Sequence, residues 1–244
     1  MLLEDALNTN RTHLLAHPDI NLTSEQQTLL SQQLERRATH EPLAYVRGHT
    51  EFYGREFIVT PAVLEPRPES EIMIELLLKQ PNLPAEPRVA DIGTGSGALG
   101  ITAKLELPRA EVDLLELDNK AIEVAKRNVI SLTTGISVIQ SDLLTNAPRE
   151  YDILLCNLPY VPDNFHINEA AQREPHLAIF GGGDGLNLYR RLFQQVSRLL
   201  QKPLLILCES LPPQHEALLA VATAAGYSLQ AEDDFIQVFY PTES

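Results

Sequence analysis

The sequence has little cysteine and no recognisable metal-binding pattern. Its two cysteines, Cys156 and Cys208, give neither a disulfide framework nor the paired spacing of a zinc site. The seven histidines form no H-x-x-x-H or H-E-x-x-H pattern. We therefore expect a fold without disulfides and a chemistry without a protein-bound metal.

Long apolar runs are missing as well. No stretch approaches the roughly 18 consecutive apolar residues that a membrane-spanning helix requires. The residues after Met1, LLEDALN, lack the basic start and the apolar centre of a signal peptide. We expect a cytoplasmic protein that makes no membrane contact.

Positive charge is scarce. Lysine and arginine together number 19 against 33 aspartates and glutamates, which gives a formal net charge of −14. Proteins that bind nucleic acid usually present a basic face, because neutralising the phosphates supplies much of their affinity. The charge balance therefore argues against a nucleic-acid substrate.

Apolar residues make up 44% of the 244 residues, which is enough for one substantial core with a small additional domain. Residues 1–40 are typical of such a small helical domain. EDALNTNRTHLLAH is one candidate helix. In a second, LTSEQQTLLSQQLERR, Thr23 and Gln26 have capping-box spacing. Leucines recur along this second helix at helical intervals: Leu29, Leu30 and Leu34.

Residues 41–87 predict a hairpin, a helix and a linker. EFYGREFIVT alternates around Gly54, as the two strands of a hairpin do. RPESEIMIELLLKQ opens with Pro68 and acidic residues before an apolar stripe, which favours a helix. PNLPAEP, residues 81–87, is a proline-rich connection to the remainder of the chain.

From residue 88 to residue 244, strand patterns alternate with helix patterns. The predicted strands are RVADIG, EVDLLELD, SVIQSD, YDILLCN and KPLLILCES, and YSLQAEDDFIQVFYP contains two more. Amphipathic helix patterns connect most of them. This alternation predicts an α/β domain with a doubly wound, mostly parallel sheet.

The segment DIGTGSGALG lies between a predicted strand and a predicted helix. Gly93, Gly95 and Gly97, with Thr94 and Ser96 between them, allow a sharp turn and a close approach of a ligand to the backbone. A lysine of the phosphate-binding P-loop type is absent, and the spacing also fits a dinucleotide-binding loop.

Acidic residues follow the first three predicted strands of this domain. Asp91 precedes the loop, where a carboxylate repels a pyrophosphate but suits an amino group and a sulfonium. Glu116 ends the next strand and can accept both hydroxyls of a ribose. Asp142 ends the third strand, where it can accept from an adenine amine or cap the following segment. We favour S-adenosylmethionine over a nicotinamide cofactor, because the segment NLPY, residues 157–160, has no place in a dehydrogenase site.

The motif Asn157-Leu158-Pro159-Tyr160 follows the fourth predicted strand. The Asn157 side-chain oxygen and the Leu158 carbonyl can each accept one N–H of a planar –NH₂ group. Pro159 restricts the backbone, and Tyr160 can stack on a flat amide or base. Because parallel strands end at one edge of the sheet, the motif should lie beside the glycine loop. A turn that ends the strand is the alternative interpretation.

With these motifs, the sequence resembles the HemK/PrmC family of protein glutamine methyltransferases over roughly residues 41–210. The resemblance includes PLAYVRGHTEFYGREFIVTPAVLEPRPESE, DIGTGSGALG, SDLL, NLPY and EPHLAIFGGGDGLNLYRRL. It implies a Rossmann-like class I methyltransferase sheet with an antiparallel last strand. It also implies methylation of a glutamine amide, in the best-known members within the Gly-Gly-Gln motif of a peptide chain release factor. The implied cofactor residues are Gly93 to Gly97, Glu116, Leu143 and Asn157.

Three features depart from the family pattern. Leu158 replaces the usual first proline, although the main-chain carbonyl is retained. Asn-Leu-Pro-Tyr also occurs in ribosomal RNA adenine dimethyltransferases, so an adenine amino group is an alternative substrate. The N-terminal region, which helps dock the protein substrate in the family, is short. The C-terminal AEDDFIQVFYPTES lacks the family's basic, glycine-containing ending.

The leading hypothesis is a monomeric S-adenosylmethionine-dependent methyltransferase that acts on a protein glutamine, with Asn157, Pro159 and Tyr160 as its catalytic residues. The alternatives are an adenine amino methyltransferase and a cofactor-binding protein without turnover. Arg67 is predicted either to face the site or to pair with Glu69 or Glu71. We expect the turn GGGDG, residues 181–185, beside the active site, and a buried Cys156.

Overall fold

The computed structural model describes residues 1–242, so the end of the predicted segment 88–244 lies outside the described residues. The N-terminal region is helical, as predicted. Residues 1–40 contain three helices: α1 (Leu2–Leu7), α2 (Arg11–Ala16) and α3 (Ser24–Ala38). A further short helix that the sequence did not predict, α4 (Leu43–Arg47), begins the segment 41–87.

The first predicted helix is in fact two helices. Asn8 ends α1 in the left-handed conformation, with φ of 48°. Asn10 then caps α2 by accepting a hydrogen bond from the His13 N–H at 2.8 Å. Asparagine favours both positions, because its short polar side chain competes with helical hydrogen bonds. The prediction of one continuous helix was therefore wrong.

Helix α3 begins with the predicted capping box, in which Thr23 and Gln26 exchange side-chain to main-chain hydrogen bonds. Its predicted leucine stripe is only partly covered, since Leu29 and Leu34 are 46% and 53% exposed. The helix is also anchored at its end by Arg36, whose guanidinium donates to the Glu41 carboxylate and to main-chain carbonyls of α4.

The predicted hairpin consists of β1 (His49–Phe52) and β2 (Arg55–Ile58). Helix α7 (Asn119–Leu132) holds it against the larger sheet through Asn128. The Asn128 amide bonds to both main-chain groups of Ile58 at 2.8 and 2.9 Å, and to the Ser96 carbonyl at 2.8 Å. A buried side chain thus links the hairpin to the glycine loop. After the hairpin, the chain makes a 3₁₀ turn (Pro68–Ser70) and enters α5 (Glu71–Leu78).

The seven-stranded sheet confirms the predicted doubly wound topology. Its strands are β3 (Arg88–Ile92), β4 (Glu111–Glu116), β5 (Ile136–Gln140), β6 (Ile153–Cys156), β7 (Leu205–Glu209), β8 (Tyr227–Asp233) and β9 (Ile236–Pro241). Their order is β5-β4-β3-β6-β7-β9-β8. The first five strands are parallel, and β9 runs antiparallel to both of its neighbours.

Helices cover both faces of this sheet and form two apolar cores. Besides α5 and α7 they are α6 (Ala98–Glu106), α9 (Asn187–Val196) and α10 (His215–Ala224). The short α8 (His176–Ile179) lies in the connection between β6 and α9. Successive residues of the central strands alternate between the cores: Leu155 belongs to one, and Leu154 and Cys156 to the other. Cys156 is buried, as predicted, and lies opposite the free thiol of Cys208 on β7.

The strand order reverses between β3 and β6, because the chain continues from β3 toward one edge of the sheet and from β6 toward the other. The connections after these two strands therefore diverge, and a crevice opens at their carboxyl ends. The glycine loop follows β3, and Asn157 follows β6. Their predicted adjacency is thus a consequence of the topology.

Within residues 1–242, no helix has the length and apolar character needed to cross a bilayer.

Candidate active site

The glycine loop joins β3 to α6 through three left-handed residues. Gly93, Gly95 and Gly97 have φ values of 69°, 56° and 87°, which other residue types rarely adopt. The Glu116 carboxylate accepts the Gly95 N–H at 2.9 Å and fixes the middle of the loop. A side chain added at Gly95 would meet no atom within 4 Å, so the backbone is open to a ligand here.

Asp91 lies beneath this loop and is 1% exposed. Its carboxylate accepts from the Thr94 hydroxyl at 2.5 Å and from the Gly100 N–H at 2.8 Å. Burial raises the pKa of Asp91 to about 6, although these two hydrogen bonds favour the ionised form. Asp91 thus ties the start of the loop to the first turn of α6.

Asn157 is the first residue after β6 and is held by a chain of hydrogen bonds. Its Nδ2 donates to the Ser70 hydroxyl at 2.9 Å. Ser70 in turn donates to the Glu209 carboxylate at 2.6 Å. Among residues 1–242, no hydrogen bond reaches the Asn157 Oδ1 or the Leu158 carbonyl, so both oxygens retain their capacity to accept.

Tyr160 lies behind the motif rather than in front of it. Its hydroxyl donates to the second oxygen of the Glu209 carboxylate at 3.0 Å. Burial, followed by the charge of Glu209, raises the pKa of Tyr160, which therefore stays protonated as a donor. The hydroxyl of Tyr189 accepts the Leu158 N–H at 3.3 Å, and its single proton has two carbonyls within reach, that of Glu209 at 2.5 Å and that of Cys156 at 3.0 Å. Two tyrosines thus fix the backbone and the far end of the motif.

Glu209 ends β7 and is 1% exposed. Burial raises the pKa of this carboxyl to about 7, against hydrogen bonds from Ser70 and Tyr160 that lower it. The negative charge of nearby Glu69 raises the pKa further, and the Asn157 amide lowers it. Glu209 therefore titrates within the physiological pH range.

The GGGDG turn, residues 181–185, packs against the motif and lies beside the site, as predicted. A side chain at Gly181 would collide with the Pro159 carbonyl, and one at Gly185 with the Tyr160 carbonyl. Gln214 closes the same region, because its Nε2 donates to the carbonyls of Tyr160 and Asp184, each at 2.7 Å. The turn and Gln214 thereby hold the backbone of the motif at Pro159 and Tyr160.

A cavity of about 870 Å³ lies between the loop and the motif. The loop and the neighbouring strand ends line one side: Asp91, Gly93, Thr94, Gly95, Ser96, Glu116, Asp142 and Leu143. The other side is lined by Arg67, Ser70, Asn157, Leu158, Pro159, Gly181 and Gly182. The volume suits a nucleoside-sized ligand together with a second group that enters beside Asn157.

Two parts of the chain match the models of known protein families. Residues 1–48 match the PrmC N-terminal domain, and residues 68–174 match the methyltransferase small domain. A release factor glutamine methyltransferase of Koribacter versatilis is 37% identical over 201 residues, which cover 80% of this chain and 72% of that protein. The enzymes of the same name from Coxiella burnetii and Neisseria gonorrhoeae are each 34% identical over 93% of this chain, covering 83% and 85% of theirs.

The chain belongs to the family of release factor glutamine methyltransferases. The resemblance stated from the sequence is thus confirmed.

Solved structures support the fold of this family member at low sequence identity. A methyltransferase from Pyrococcus furiosus has a TM-score of 0.54 and 15% identity, covering 91% of this chain and 100% of its own. A T. thermophilus 16S rRNA methyltransferase in complex with AdoMet and guanosine has a TM-score of 0.53 and 18% identity, covering 80% and 50%. The Rossmann-like class I methyltransferase fold is therefore confirmed.

In this release factor glutamine methyltransferase family member, most of the predicted site residues surround one cavity. Asp142 lies at its edge, where its carboxylate accepts from Arg191 at 2.5 Å, and Leu143 has a left-handed φ of 53°. Gly97 and Tyr160 are not part of the lining that residues 1–242 provide. Gly97 starts α6 instead, and Tyr160 contacts Glu209.

Arg67 faces the cavity and pairs with residues that the sequence interpretation did not name. Its guanidinium lies 2.5 Å from the Glu174 carboxylate and 3.5 Å from that of Glu65. The predicted alternative of a pair with Glu69 or Glu71 was wrong. Glu71 instead accepts the Tyr53 N–H at 2.7 Å, because α5 packs against the hairpin.

In this family member, sequence reasoning missed Ser70, Tyr189 and Glu209. Glu209 carries a detectable signal, because it is an acidic residue at the end of a fully apolar strand pattern, LLILCE. Such strands end at the ligand-binding edge of the sheet. Ser70 and Tyr189 carry no comparable signal, since each lies in a helical segment of ordinary composition.

Proposed function

We propose that this protein transfers a methyl group from S-adenosylmethionine to the side-chain amide nitrogen of a glutamine in a peptide chain release factor. The target is the glutamine of the Gly-Gly-Gln motif. The observation that carries the proposal is a pair of free acceptors beside the cavity, the Asn157 Oδ1 and the Leu158 carbonyl. Two adjacent acceptors match the two N–H groups of a primary amide.

The loop side of the cavity fits the methyl donor. Gly95 leaves its backbone open to a ligand, and Glu116 presents a carboxylate that can accept from ribose hydroxyls. Asp142 and Leu143 line the part of the cavity beyond Glu116, where an adenine would be held. When bound, S-adenosylmethionine supplies an electrophilic methyl group.

The acceptor side addresses the low reactivity of an amide nitrogen, whose lone pair is delocalised. Asn157 and the Leu158 carbonyl hold the –NH₂ group and favour the positive charge that grows on nitrogen in the transition state. Pro159 restricts the backbone that carries the carbonyl. The proton of the product nitrogen then leaves to water, so the proposal requires no dedicated base.

Leu158 is compatible with this function, although the related pattern has proline here. Its side chain is 2% exposed and packs toward Gly93, where an added Cβ would lie 3.0 Å from the leucine Cδ2. The carbonyl is unaffected by the identity of the side chain. A formal charge of −14 disfavours the adenine alternative, because neutralising the phosphates by basic residues supplies much of the affinity for a nucleic-acid substrate.

We further propose that the protein acts as a cytoplasmic monomer and that its N-terminal helices help dock the release factor. Arg173 joins this region to the segment after the motif, because its guanidinium donates to the Thr39 carbonyl at 2.9 Å. A docked substrate would thus contact elements that are connected to the active site.

A methyl-transfer assay with labelled S-adenosylmethionine tests the proposed function. The acceptors are a release factor, its variant with alanine for the Gly-Gly-Gln glutamine, and bulk RNA. We expect label on the unmodified factor alone. Label on RNA and none on the factor would overturn the proposal, and equal labelling of the alanine variant would overturn the assignment to glutamine.

A further inference from the structure

Three chain segments that are distant in sequence meet behind Asn157. Ser70 comes from the 3₁₀ turn before α5, Glu209 from the end of β7, and Tyr160 from the motif itself. Ser70 and Glu209 are 2% and 1% exposed. Glu209 is not among the residues of the described chain that line the cavity, so it acts on a ligand only through other residues.

When Glu209 is ionised, the donors and acceptors of this cluster allow only one arrangement of hydrogen bonds. An ionised carboxylate only accepts, and Glu209 accepts the Ser70 hydroxyl proton on Oε2 and the Tyr160 hydroxyl proton on Oε1. Ser70 has then used its single proton and can only accept from Asn157. The nitrogen of the Asn157 amide must therefore face Ser70, at 2.9 Å, and its oxygen must face away.

We propose that Glu209 and Ser70 are positioning residues that set the orientation of the Asn157 amide, so that its oxygen is presented to the substrate –NH₂ group. This inference rests on the proposed function and deepens it. The opposite orientation would present an NH₂ group to an NH₂ group and would repel the substrate nitrogen. Glu209 does not line the described cavity, and Ser70 borders it with a side chain that is only 2% exposed, so both act on the substrate through Asn157.

The charge on Glu209 is the variable that controls this arrangement. A protonated Glu209 can donate to Ser70, which frees the serine proton to donate to the amide and removes the preference between its two orientations. The titratable groups that face Glu209 are Glu69 from the 3₁₀ turn, Tyr160 from the motif and Tyr189 from α9. Its partner on β9 is the apolar Ile236. Arg67, which precedes the 3₁₀ turn, lowers the pKa of Tyr160, but its guanidinium is paired with Glu174 and Glu65.

The activity test compares Glu209→Gln, Ser70→Ala and Ser70→Thr with Glu75→Gln as the matched control. Glu75 is an exposed glutamate on α5, and its replacement removes a charge in the same way. We expect kcat to fall about 30-fold for Glu209→Gln and about 10-fold for Ser70→Ala. Ser70→Thr, which keeps the hydroxyl, should stay within about threefold of the parent, as should Glu75→Gln. Affinity for S-adenosylmethionine should change less than about twofold in all four.

The pH profile separates positioning from simple packing. In the parent, kcat should fall as pH falls through about 7, because Glu209 then takes up a proton. Ser70→Ala removes the hydroxyl that links the carboxylate to the Asn157 amide, so its lower kcat should lose most of this dependence. A Glu209→Gln variant with parental kcat, or an unchanged acid limb in Ser70→Ala, would overturn the inference.

A measurement without turnover distinguishes failure of this inference from failure of the proposed function. With ¹⁵N-asparagine labelling of the full chain, the Asn157 side-chain resonances should move with pH near 7 in the parent and much less in Ser70→Ala. Resonances that ignore pH in the parent would overturn the positioning role, whichever substrate is methylated. Should Glu209→Gln not fold, Ser70→Ala and the parent still decide the outcome.

Discussion

The two sides of the cavity each contain one buried carboxylate, and they are held by different kinds of group. Asp91 binds a main-chain N–H, that of Gly100, and a hydroxyl three residues away, that of Thr94. Glu209 binds two hydroxyls, those of Ser70 and Tyr160, from other parts of the chain. The cofactor side is thus built mainly from backbone, and the acceptor side mainly from side chains.

Because of this difference, the two sides of the cavity tolerate different amino-acid substitutions. On the cofactor side, the geometry depends on glycines whose φ values exclude other residues, while several nearby side chains serve only as lining. On the acceptor side, replacing one side chain leaves a buried partner without its hydrogen bond, which is costly. We therefore expect side-chain substitutions to impair the methyl acceptor more than the methyl donor.

The largest expected effect is that of Asn157→Ala on turnover. Losing one of the two acceptors should lower kcat about 1,000-fold, while the dissociation constant for S-adenosylmethionine changes less than about threefold. Single-turnover methylation and calorimetric binding provide the two measurements. Asn146→Ala, at an exposed asparagine, is the control and should behave like the parent. A parental rate in Asn157→Ala would refute the two-acceptor mechanism.

The next largest effect concerns the pH dependence of stability. The folded pKa of Glu209 is about 7, above its unfolded value, so the folded state binds a proton more tightly. This contribution is complete below about pH 4 and is lost as pH rises through about 7.

Glu209→Gln removes that titration. The free energy of unfolding of the parent, relative to this variant, should fall by about 3 kcal/mol between about pH 4 and pH 8. Urea denaturation at a series of pH values measures it. A difference that is constant with pH would mean that Glu209 titrates normally in the folded protein.

Glu116→Ala should produce the converse of Asn157→Ala. We expect the dissociation constant for S-adenosylmethionine to rise about 30-fold, because the ribose acceptor and the anchor of Gly95 are both lost. At saturating S-adenosylmethionine, kcat should stay within about threefold of the parent. Glu123→Ala, at an exposed glutamate on α7, is the matched control. Equal effects on binding and turnover would remove the distinction between the two sides.

The smallest expected effect is that of Leu158→Pro. The main-chain carbonyl remains, so kcat should stay within about threefold of the parent. The variant loses apolar packing toward Gly93 and the N–H that donates to Tyr189, which should reduce the free energy of unfolding by about 1.5 kcal/mol. Denaturation and methylation assays on the same preparation check both. A collapse of turnover at parental stability would assign the leucine side chain a direct part in methylation.

The fold and the cofactor side could be predicted because their determinants are close in sequence. Asp91, Thr94, Gly100, Gly95 and Glu116 are joined by hydrogen bonds that span 3, 9 and 21 residues. Strand and helix periodicity then places the segment at one edge of the sheet.

The support of Asn157 could not be predicted in the same way. Its hydrogen bonds span 87 residues to Ser70, and a further 139 from Ser70 to Glu209. No local pattern marks partners at such separations, and a serine in RPESE is equally typical of a helix start. The contact between Tyr160 and Glu209 was missed for the same reason. The sequence predicted that Tyr160 could stack on the substrate, but the position of its hydroxyl depends on an acceptor that is 49 residues away.

The GGGDG turn that packs against the motif restricts which residues the fold can accept at positions 181 and 185. Gly181 and Gly185 contact the carbonyls of Pro159 and Tyr160, whereas a side chain at Gly183 would meet nothing within 4 Å. A saturation-mutagenesis library selected for methylation should therefore show glycine alone at 181 and 185 and broad variety at 183. The two invariant positions would record the shape of the acceptor site through the carbonyls of Pro159 and Tyr160.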